Sequence, residues 1–336
     1  MNVQGSVTQV LPIEDASQIG HARRVAQRLA EQHNFDVTDA GRVALLATEL
    51  ASNVLKHAGS GELHLRAVQG QDGAGVEIIA VDRGPGFDLN QCLTDGYSSS
   101  GTQGIGLGAL ARQAQVFDAF SDARGSVVLA QLFPRGVKPP RWRYGVSQQP
   151  FPGEIACGDD WHLALDEQRC SVLMIDGIGH GELAQQAAHA GSAAFGENPF
   201  VSPSALFDDM HRAMNGGRGG AVAVAQFDRQ RQALSFAGIG NIGASLIGSD
   251  GSRGLASHPG IVGVRFRKAH VFDYPRGDAR LLVLYSDGLQ SRWNLRDYPG
   301  LVHRHPAIIA ALLQRDFCRG RDDVTVLALN LEDTCG

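Results

Sequence analysis

The sequence predicts an α+β protein of two domains, and three observations lead there. Helical periodicity fills residues 16–57, strand-like runs take over up to 132, and a second half follows in which many short apolar runs alternate with few helices. Between the halves, the stretch from Phe133 to Tyr144 carries three prolines, which interrupt any helix or central strand. At 336 residues the chain also exceeds the usual range for one hydrophobic core. The boundary is placed near 138, giving domains 1–138 and 139–336.

In the front domain, residues 16–33 and 38–57 read as helices. The second has Thr38 as a plausible N-cap and places Val43, Leu46, Leu50 and Val54 on one stripe. Strands are expected at 62–68 and 76–81, then a Ser/Gly loop over 95–104, a helix over about 106–117 and a strand pair within 119–132. Two helices thus precede the first strand, and a helix layer packs on a mostly antiparallel sheet. Behind the boundary, strand-like runs fall at 161–165, 171–175, 221–227, 232–237, 242–247, 271–274, 281–285 and 324–329, with helices at 182–195, 203–214 and 305–317. That pattern favours two antiparallel sheets flanked by helices.

Composition excludes several classes. Hydrophobic residues at 43% and charged residues at 19% describe a folded domain protein rather than a disordered one. The net charge of −5, with no basic block apart from Lys138-Pro-Pro-Arg-Trp-Arg143, gives no electrostatic footprint for nucleic acid. Apolar stretches fall short of the roughly 20 residues that span a bilayer, and the first residues lack a charged segment followed by an apolar one, so neither membrane nor export is expected. A cytoplasmic location is the expectation. Five scattered cysteines without a C-x-x-C pair argue against a disulfide frame or zinc site.

Two clusters carry chemistry. In the front half, Glu49 and Asn53 are one helical turn apart and share a face, offering a carboxylate that can accept a proton and an amide oxygen suited to Mg²⁺. Asp82 closes a strand where it can accept from an exocyclic amine, and Gly84 and Gly86 let a flat base approach the backbone. Gly104, Gly106 and Gly108 stand at a helix start, where free N–H groups favour phosphate. The spacing is not a dinucleotide fingerprint, and no Walker A loop is present. In the rear half, Asp159, Asp176, Asp287 and Asp322 each stand where an apolar run meets a turn. A single Asp-Gly is most often a hairpin turn. Four acidic turns beside strands in one domain are the presentation of carboxylates that a hard divalent cation requires, and two such ions can deprotonate a water and stabilise a phosphoryl group under attack.

The order of the front motifs resembles the anti-sigma-factor serine kinases of the GHKL ATP-binding superfamily, of the stressosome-switch type, across about residues 15–133. The resemblance implies a GHKL (Bergerat) α/β sandwich that uses ATP and Mg²⁺. By it, Asn53 takes the Mg²⁺ role and Glu49 the base role towards a substrate serine. Asp82 takes the adenine contact, and Gly84, Gly86, Gly104, Gly106 and Gly108 line the nucleotide. Ser126 stands where the family often has threonine near adenine.

Asp176-Gly-Ile-Gly-His-Gly181, Ser286-Asp-Gly288 and Asp322-Asp-Val-Thr325 resemble the PPM-type metal-dependent protein phosphatases, of the sporulation and stressosome branch, across roughly 144–331. The resemblance implies an αββα sandwich with two Mn²⁺ or Mg²⁺ ions. In it Asp176 bridges the ions and acts as the catalytic aspartate, and the Gly177 carbonyl assists. Asp287 and Asp322 hold one ion, and Asp159 contributes from the other side. Asp160 and Asp323 are expected in supporting or turn roles. Ile178 occupies the position where many eukaryotic members carry a histidine acid, which leaves that role vacant or delegated; His180 could fill it, although an exposed turn histidine is commonplace.

Together the resemblances imply a bifunctional switch. A serine/threonine kinase and an opposing phosphoserine/phosphothreonine phosphatase would act on an anti-sigma antagonist of the STAS type or a stressosome protein, with a downstream phosphatase or sigma regulator as a further partner. The alternative is a front domain that binds ATP without catalysis, as a sensor or a sigma-regulator-binding module. Phosphate transfer that fails in Glu49→Gln while ATP still binds separates the two.

Overall fold

The computed structural model describes residues 1–89, 107–249 and 251–332. Its contacts divide the chain into two compact units: Thr8–Arg141 with His303–Leu312, and Met1–Val7 with Trp142–Val302 and Leu313–Gly336. Relative to the expected split at 138, the first seven residues, residues 139–141 and the segment His303–Leu312 change sides.

The first strand, β1 (Asn2–Gln4), belongs to the second unit. The unit built around Thr8–Arg141 starts with β2 (Gln9–Ile13), so a strand precedes the helices where none was expected. Then come α1 (Ala16–Gln32), α2 (Val37–Ala58), β3 (Gly61–Gln69), β4 (Ala74–Asp82), α3 (Leu107–Gln113), β5 (Val116–Asp122) and β6 (Gly125–Leu132). The five strands form one antiparallel sheet in the order β2-β3-β4-β6-β5.

The stripe on α2 does what its spacing predicts. Val43, Leu46, Leu50 and Val54 are buried against Leu63, Leu65, Val76, Ile78 and Val128 of the sheet, and each such side chain contributes about 1.5–3 kcal/mol. Two local readings need correction. The N-cap is Asp36, not Thr38: its Oδ1 accepts from Asp39 N at 2.7 Å. The helix expected to 117 ends at Gln113, because Val116, Phe117 and Phe120 satisfy their backbone in β5 against β6 instead.

Opposite the helices, the sheet buries a polar row. Arg66, Glu77 and Gln131 lie side by side on β3, β4 and β6, and the Glu77 carboxylate accepts from Arg66 Nε and Gln131 Nε2, each at 2.7 Å. The segment from His303 is tied to this unit by Asp118 on β5, whose carboxylate accepts from His305 N at 2.6 Å and Arg304 Nη1 at 3.2 Å.

The second unit holds β7 (Tyr144–Gln149), β8 (Asp159–Leu165), β9 (Arg169–Gly177), α4 (Glu182–Glu197), α5 (Pro203–Ala213), β10 (Gly220–Asp228), β11 (Ala233–Ile239), β12 (Gly243–Gly248), β13 (Gly251–Gly254), β14 (Phe272–Pro275), β15 (Leu281–Tyr285) and β16 (Val324–Asn330). A last helix, α6 (Pro306–Phe317), lies between β15 and β16 and contributes residues to both units.

Two antiparallel sheets result, a six-stranded one in the order β1-β8-β9-β10-β11-β14 and a five-stranded one in the order β13-β12-β15-β16-β7. Leu173, Ile175, Val222 and Val224 of the first sheet bury against Phe195 of α4 and Leu206, Phe207 and Met210 of α5. Gln148 on β7 links the sheets by donating to the Asp159 carbonyl at 2.8 Å. Strands β7 and β13 were not foreseen. β13 is Gly-Ser-Arg-Gly and lacks any apolar signal, so only its pairing with β12 makes it a strand.

Candidate nucleotide and metal sites

In the front unit, α2 places Glu49 and Asn53 on one face, both half-buried rather than turned into the core. The turn after β4 sits against the end of this helix. A Cβ added at Gly84 would lie 2.7 Å from that of Ala58, and one added at Gly61, opposite Asp82 in the ladder, would lie 2.7 Å from Val54 Cγ1 and 3.1 Å from Asp82 Cβ. Small residues therefore let the strand end carrying Asp82 close onto the helix carrying Asn53.

The Asp82 carboxylate is fixed from three directions. Its Oδ1 accepts from Gly84 N at 2.8 Å and Ser126 N at 3.2 Å, and its Oδ2 accepts from Ser126 Oγ. Ser126 thus acts on the aspartate itself, a role that its place in the sequence did not reveal. Gly86 has φ +76°, and a side chain there would run into the Asp122 carbonyl. Glycine is required at that corner. Gly108 lies buried in α3, while Gly104 and Gly106 lie outside the described residues.

In the rear unit, Asp159 opens β8 directly opposite Asp176, near the end of β9. Asp287 follows β15 and Asp322 precedes β16. Burial raises the Asp159 carboxyl well above its ordinary range, and the charge of Asp176 adds to this. Asp176 is pushed up to about 7 by burial, then by the charges of Asp287 and Asp322. Burial and Asp322 also raise Asp287, while Arg319 and Asn241 ease it. The four carboxylates therefore share one electrostatic neighbourhood.

Among the described residues, no three His, Cys, Asp or Glu side chains stand close enough together to hold an ion as they are. The donor set nevertheless fits a hard divalent cation. It is made of oxygen alone, it concentrates negative charge that burial leaves unscreened, and Asp159 Oδ2 is buried with no hydrogen-bond partner among the described residues. Gly177 packs too tightly for a side chain, since an added Cβ would lie 2.5 Å from the Ala184 carbonyl.

Supporting groups come from Asp323, expected in that role, and from Asn241 and Arg218, which the sequence left unassigned. Asn241, in the turn after β11, donates Nδ2 to Asp287 Oδ2 at 2.7 Å. Asp323 receives Phe151 N on Oδ1 at 2.7 Å and Gly158 N on Oδ2 at 2.8 Å, which pins the loop leading into Asp159. Arg218 reaches the Ile178 carbonyl at 3.5 Å, next to Asp176 and Gly177. Asp160 points away from the cluster, as strand alternation demands, towards His189 at 3.8 Å.

Residues 13–132 match the family model described as the histidine kinase-like ATPase domain. The serine/threonine-protein kinase RsbT of Bacillus subtilis (strain 168) is 35% identical over 101 residues, covering 30% of this chain and 74% of RsbT. The chain belongs to the histidine kinase-like ATPase family through this front unit.

The rear unit shares its fold with the phosphatase RsbX. The phosphoserine phosphatase RsbX of the same organism is 21% identical over 145 residues, 41% of this chain and 69% of RsbX. A crystal structure of RsbX in complex with magnesium aligns with a TM-score of 0.50 at 19% identity, over 56% of this chain and 94% of that one. A structure described under the bacterial stressosome, a modular system adapted to control secondary messenger signalling, aligns with a TM-score of 0.52 at 26% identity, over 56% of this chain and 98% of that one. No helix among the described residues is long and apolar enough to cross a membrane.

Proposed function

We propose that the chain is a bifunctional switch protein. Its front unit, 1–138 by sequence, transfers phosphate from ATP to a serine or threonine of a regulatory partner. Its rear unit, 139–336, is a divalent-metal-dependent phosphatase that removes it. The observation that carries this reading is the shared neighbourhood of Asp159, Asp176, Asp287 and Asp322 in a PPM-type fold, joined to a front half 35% identical to a serine/threonine kinase. RsbT and RsbX are a kinase and a phosphoserine phosphatase by name, and their pairing in one chain supports opposed activities on one partner. That partner is an anti-sigma antagonist of the STAS type or a stressosome component.

In the kinase, Glu49 takes the proton from the substrate hydroxyl, the Asn53 amide oxygen holds Mg²⁺, and Asp82 accepts from the adenine amine. Gly84 and Gly86 admit the base, and the glycine-rich motif of Gly104, Gly106 and Gly108 is assigned to the phosphates by its sequence. Ser126 keeps the Asp82 carboxylate aimed.

In the phosphatase, Asp159, Asp176, Asp287, Asp322 and the Gly177 carbonyl would hold the divalent ions, Mn²⁺ or Mg²⁺, which when bound would supply an activated water and offset phosphoryl charge. The protein's own contribution is to keep these oxygens within reach: Asn241 restrains Asp287, and Asp323 holds the Gly158 backbone beside Asp159.

Incubation with ATP and a STAS-type partner tests the kinase. Transfer should fall about 10²–10⁴-fold in Glu49→Gln with ATP binding retained. A wild-type protein that binds ATP but transfers nothing would leave the front unit as a sensor.

A further inference from the structure

We propose that the exposed basic loop Arg265-Phe-Arg-Lys268 docks acidic residues of the phosphorylated partner, a few positions away from the phosphoserine; this rests on the phosphatase reading above. The loop leads into β14 and stands out by charge. From 251 to 272 the sequence holds Arg253, Arg265, Arg267 and Lys268 and not one Asp or Glu, in a chain whose net charge is −5. Arg265, Arg267 and Lys268 are exposed, and among the described residues no carboxylate pairs with them. The acid nearest the loop along the chain, Asp273, is taken up by Ser235, whose Oγ donates to it at 2.6 Å. Cations left bare in an acidic protein attract an anionic partner.

Strand register ties this charge to the carboxylate cluster. Gly177 follows Asp176 at the end of β9 and lies opposite Gly220 of β10. Gly220 and Val262 exchange both main-chain hydrogen bonds, at 3.0 and 2.9 Å. Val262 therefore stands two strand spacings from Gly177, about 10 Å. Arg265 comes three residues later, and its N–H donates to the Ile261 carbonyl at 2.8 Å, closing a tight turn. The loop is fastened to α5 as well. Phe266 stacks on Phe207, with centroids 5.9 Å apart and planes 24° from parallel, Gly263 N donates to His211 Nδ1 at 2.9 Å, and Ala269 is buried in the same core. With Phe266 as the anchor, Arg265 and Arg267 on either side of it stay outside.

Between these cations and the Asp176 turn lies an apolar step. Ile178 and Val264 are both exposed and both border Gly219. The Gly219 carbonyl accepts from Ile178 N at 3.0 Å, and a Cβ added at Gly219 would lie 2.9 Å from Val264 Cγ2. Apolar side chains set between the carboxylate cluster and the cations suit a protein segment, which offers side chains of both kinds, rather than a nucleic-acid backbone. An extended segment advances about 3.3 Å per residue, so acidic side chains about three to five positions from the phosphoserine meet Arg265, Arg267 and Lys268.

Two phosphoserine peptides test this on the full chain with Mn²⁺. One carries glutamates about three to five positions from the phosphoserine on both sides, and the other carries glutamines there. The acidic peptide should show a KM about tenfold lower at low salt, the summed worth of three exposed ion pairs, and the gap should close as salt is added. In the triple variant Arg265→Gln, Arg267→Gln, Lys268→Gln the two KM values should converge, with kcat on the glutamine peptide unchanged. Charge reversal by Arg265→Glu, Arg267→Glu and Lys268→Glu should turn the preference towards a lysine-flanked peptide, which a merely damaged loop does not do. Equal KM values in the wild type would overturn the proposal, as would a preference that persists in the glutamine variant. Phosphate release from neither peptide sinks the phosphatase reading itself, and the docking site with it.

Discussion

Asp159 and Asp176 face each other across the antiparallel ladder of β8 and β9, a buried carboxylate and a half-buried one in adjacent strands. Strand pairing forces them together, and mutual repulsion is the cost of that placement. A bound cation reverses its sign. Asp176→Asn should therefore abolish Mn²⁺-dependent phosphate release, a loss of at least about a hundredfold, while leaving the chelated protein as stable as the wild type or more so. Phosphate release and calorimetry in chelator read the two outcomes. A variant that keeps its activity would remove Asp176 from the centre.

The same pair gives the metal-free protein a pH dependence with a defined sign. Asp176 titrates near 3.8 when unfolded and about 7 when folded. Between those values the native state holds more protons than the unfolded one, so stability is fully present below the lower value and declines as pH rises through the upper. The slope reaches at most about 1.4 kcal/mol per pH unit. Denaturation in chelator from pH 4 to 8 should show the decline, and Asp176→Asn should flatten it. An unchanged slope in the variant would refute the assignment.

Asn241 grips Asp287 from a turn whose sequence gave no chemical hint. Asn241→Ala leaves that carboxylate free to swing, and divalent-ion affinity should weaken about 10–100-fold. Calorimetric titration with Mn²⁺ measures it. Equal affinity in the two proteins would make the contact incidental.

For the nucleotide site, Asp82 should discriminate the purine amine. ATP should bind more tightly than inosine triphosphate, which lacks that amine, by about tenfold or more, the worth of one hydrogen bond to a charged group. In Asp82→Asn the gap should shrink. A preference that persists unchanged in the variant would place the amine elsewhere.

Gly86 offers a purely conformational test. Gly86→Ala puts a side chain at φ +76° and into the Asp122 carbonyl, so the front unit should lose about 1–3 kcal/mol. Chemical denaturation followed by a front-unit probe reads the midpoint shift.

Legibility in the sequence followed the locality of the signal. Helix α2 was readable because its apolar stripe is written every three or four residues, and the acidic turns because an aspartate stands where each apolar run meets a turn. Strand β13 was not, since nothing in Gly-Ser-Arg-Gly marks a strand until β12 pairs with it. Asp36 and Thr38 are both residue types that cap helices, and only the main-chain geometry gives the role to Asp36. The supporting contacts were hidden for the same reason. Asn241 lies 46 residues from Asp287 and Phe151 lies 172 from Asp323, and no pattern in the chain announces such meetings.

The strand β1 has a practical consequence. Its residues Asn2, Val3 and Gln4 zip onto Ala164, Leu163 and His162, so the phosphatase-like sheet is completed by chain that comes before the whole ATPase-like unit. One unit is nested inside the sequence of the other, and no single cut yields both intact. A fragment starting at 139 would bare the margin of β8 and invite self-association there, whereas grafting the first seven residues ahead of it through a short flexible tether restores the missing border.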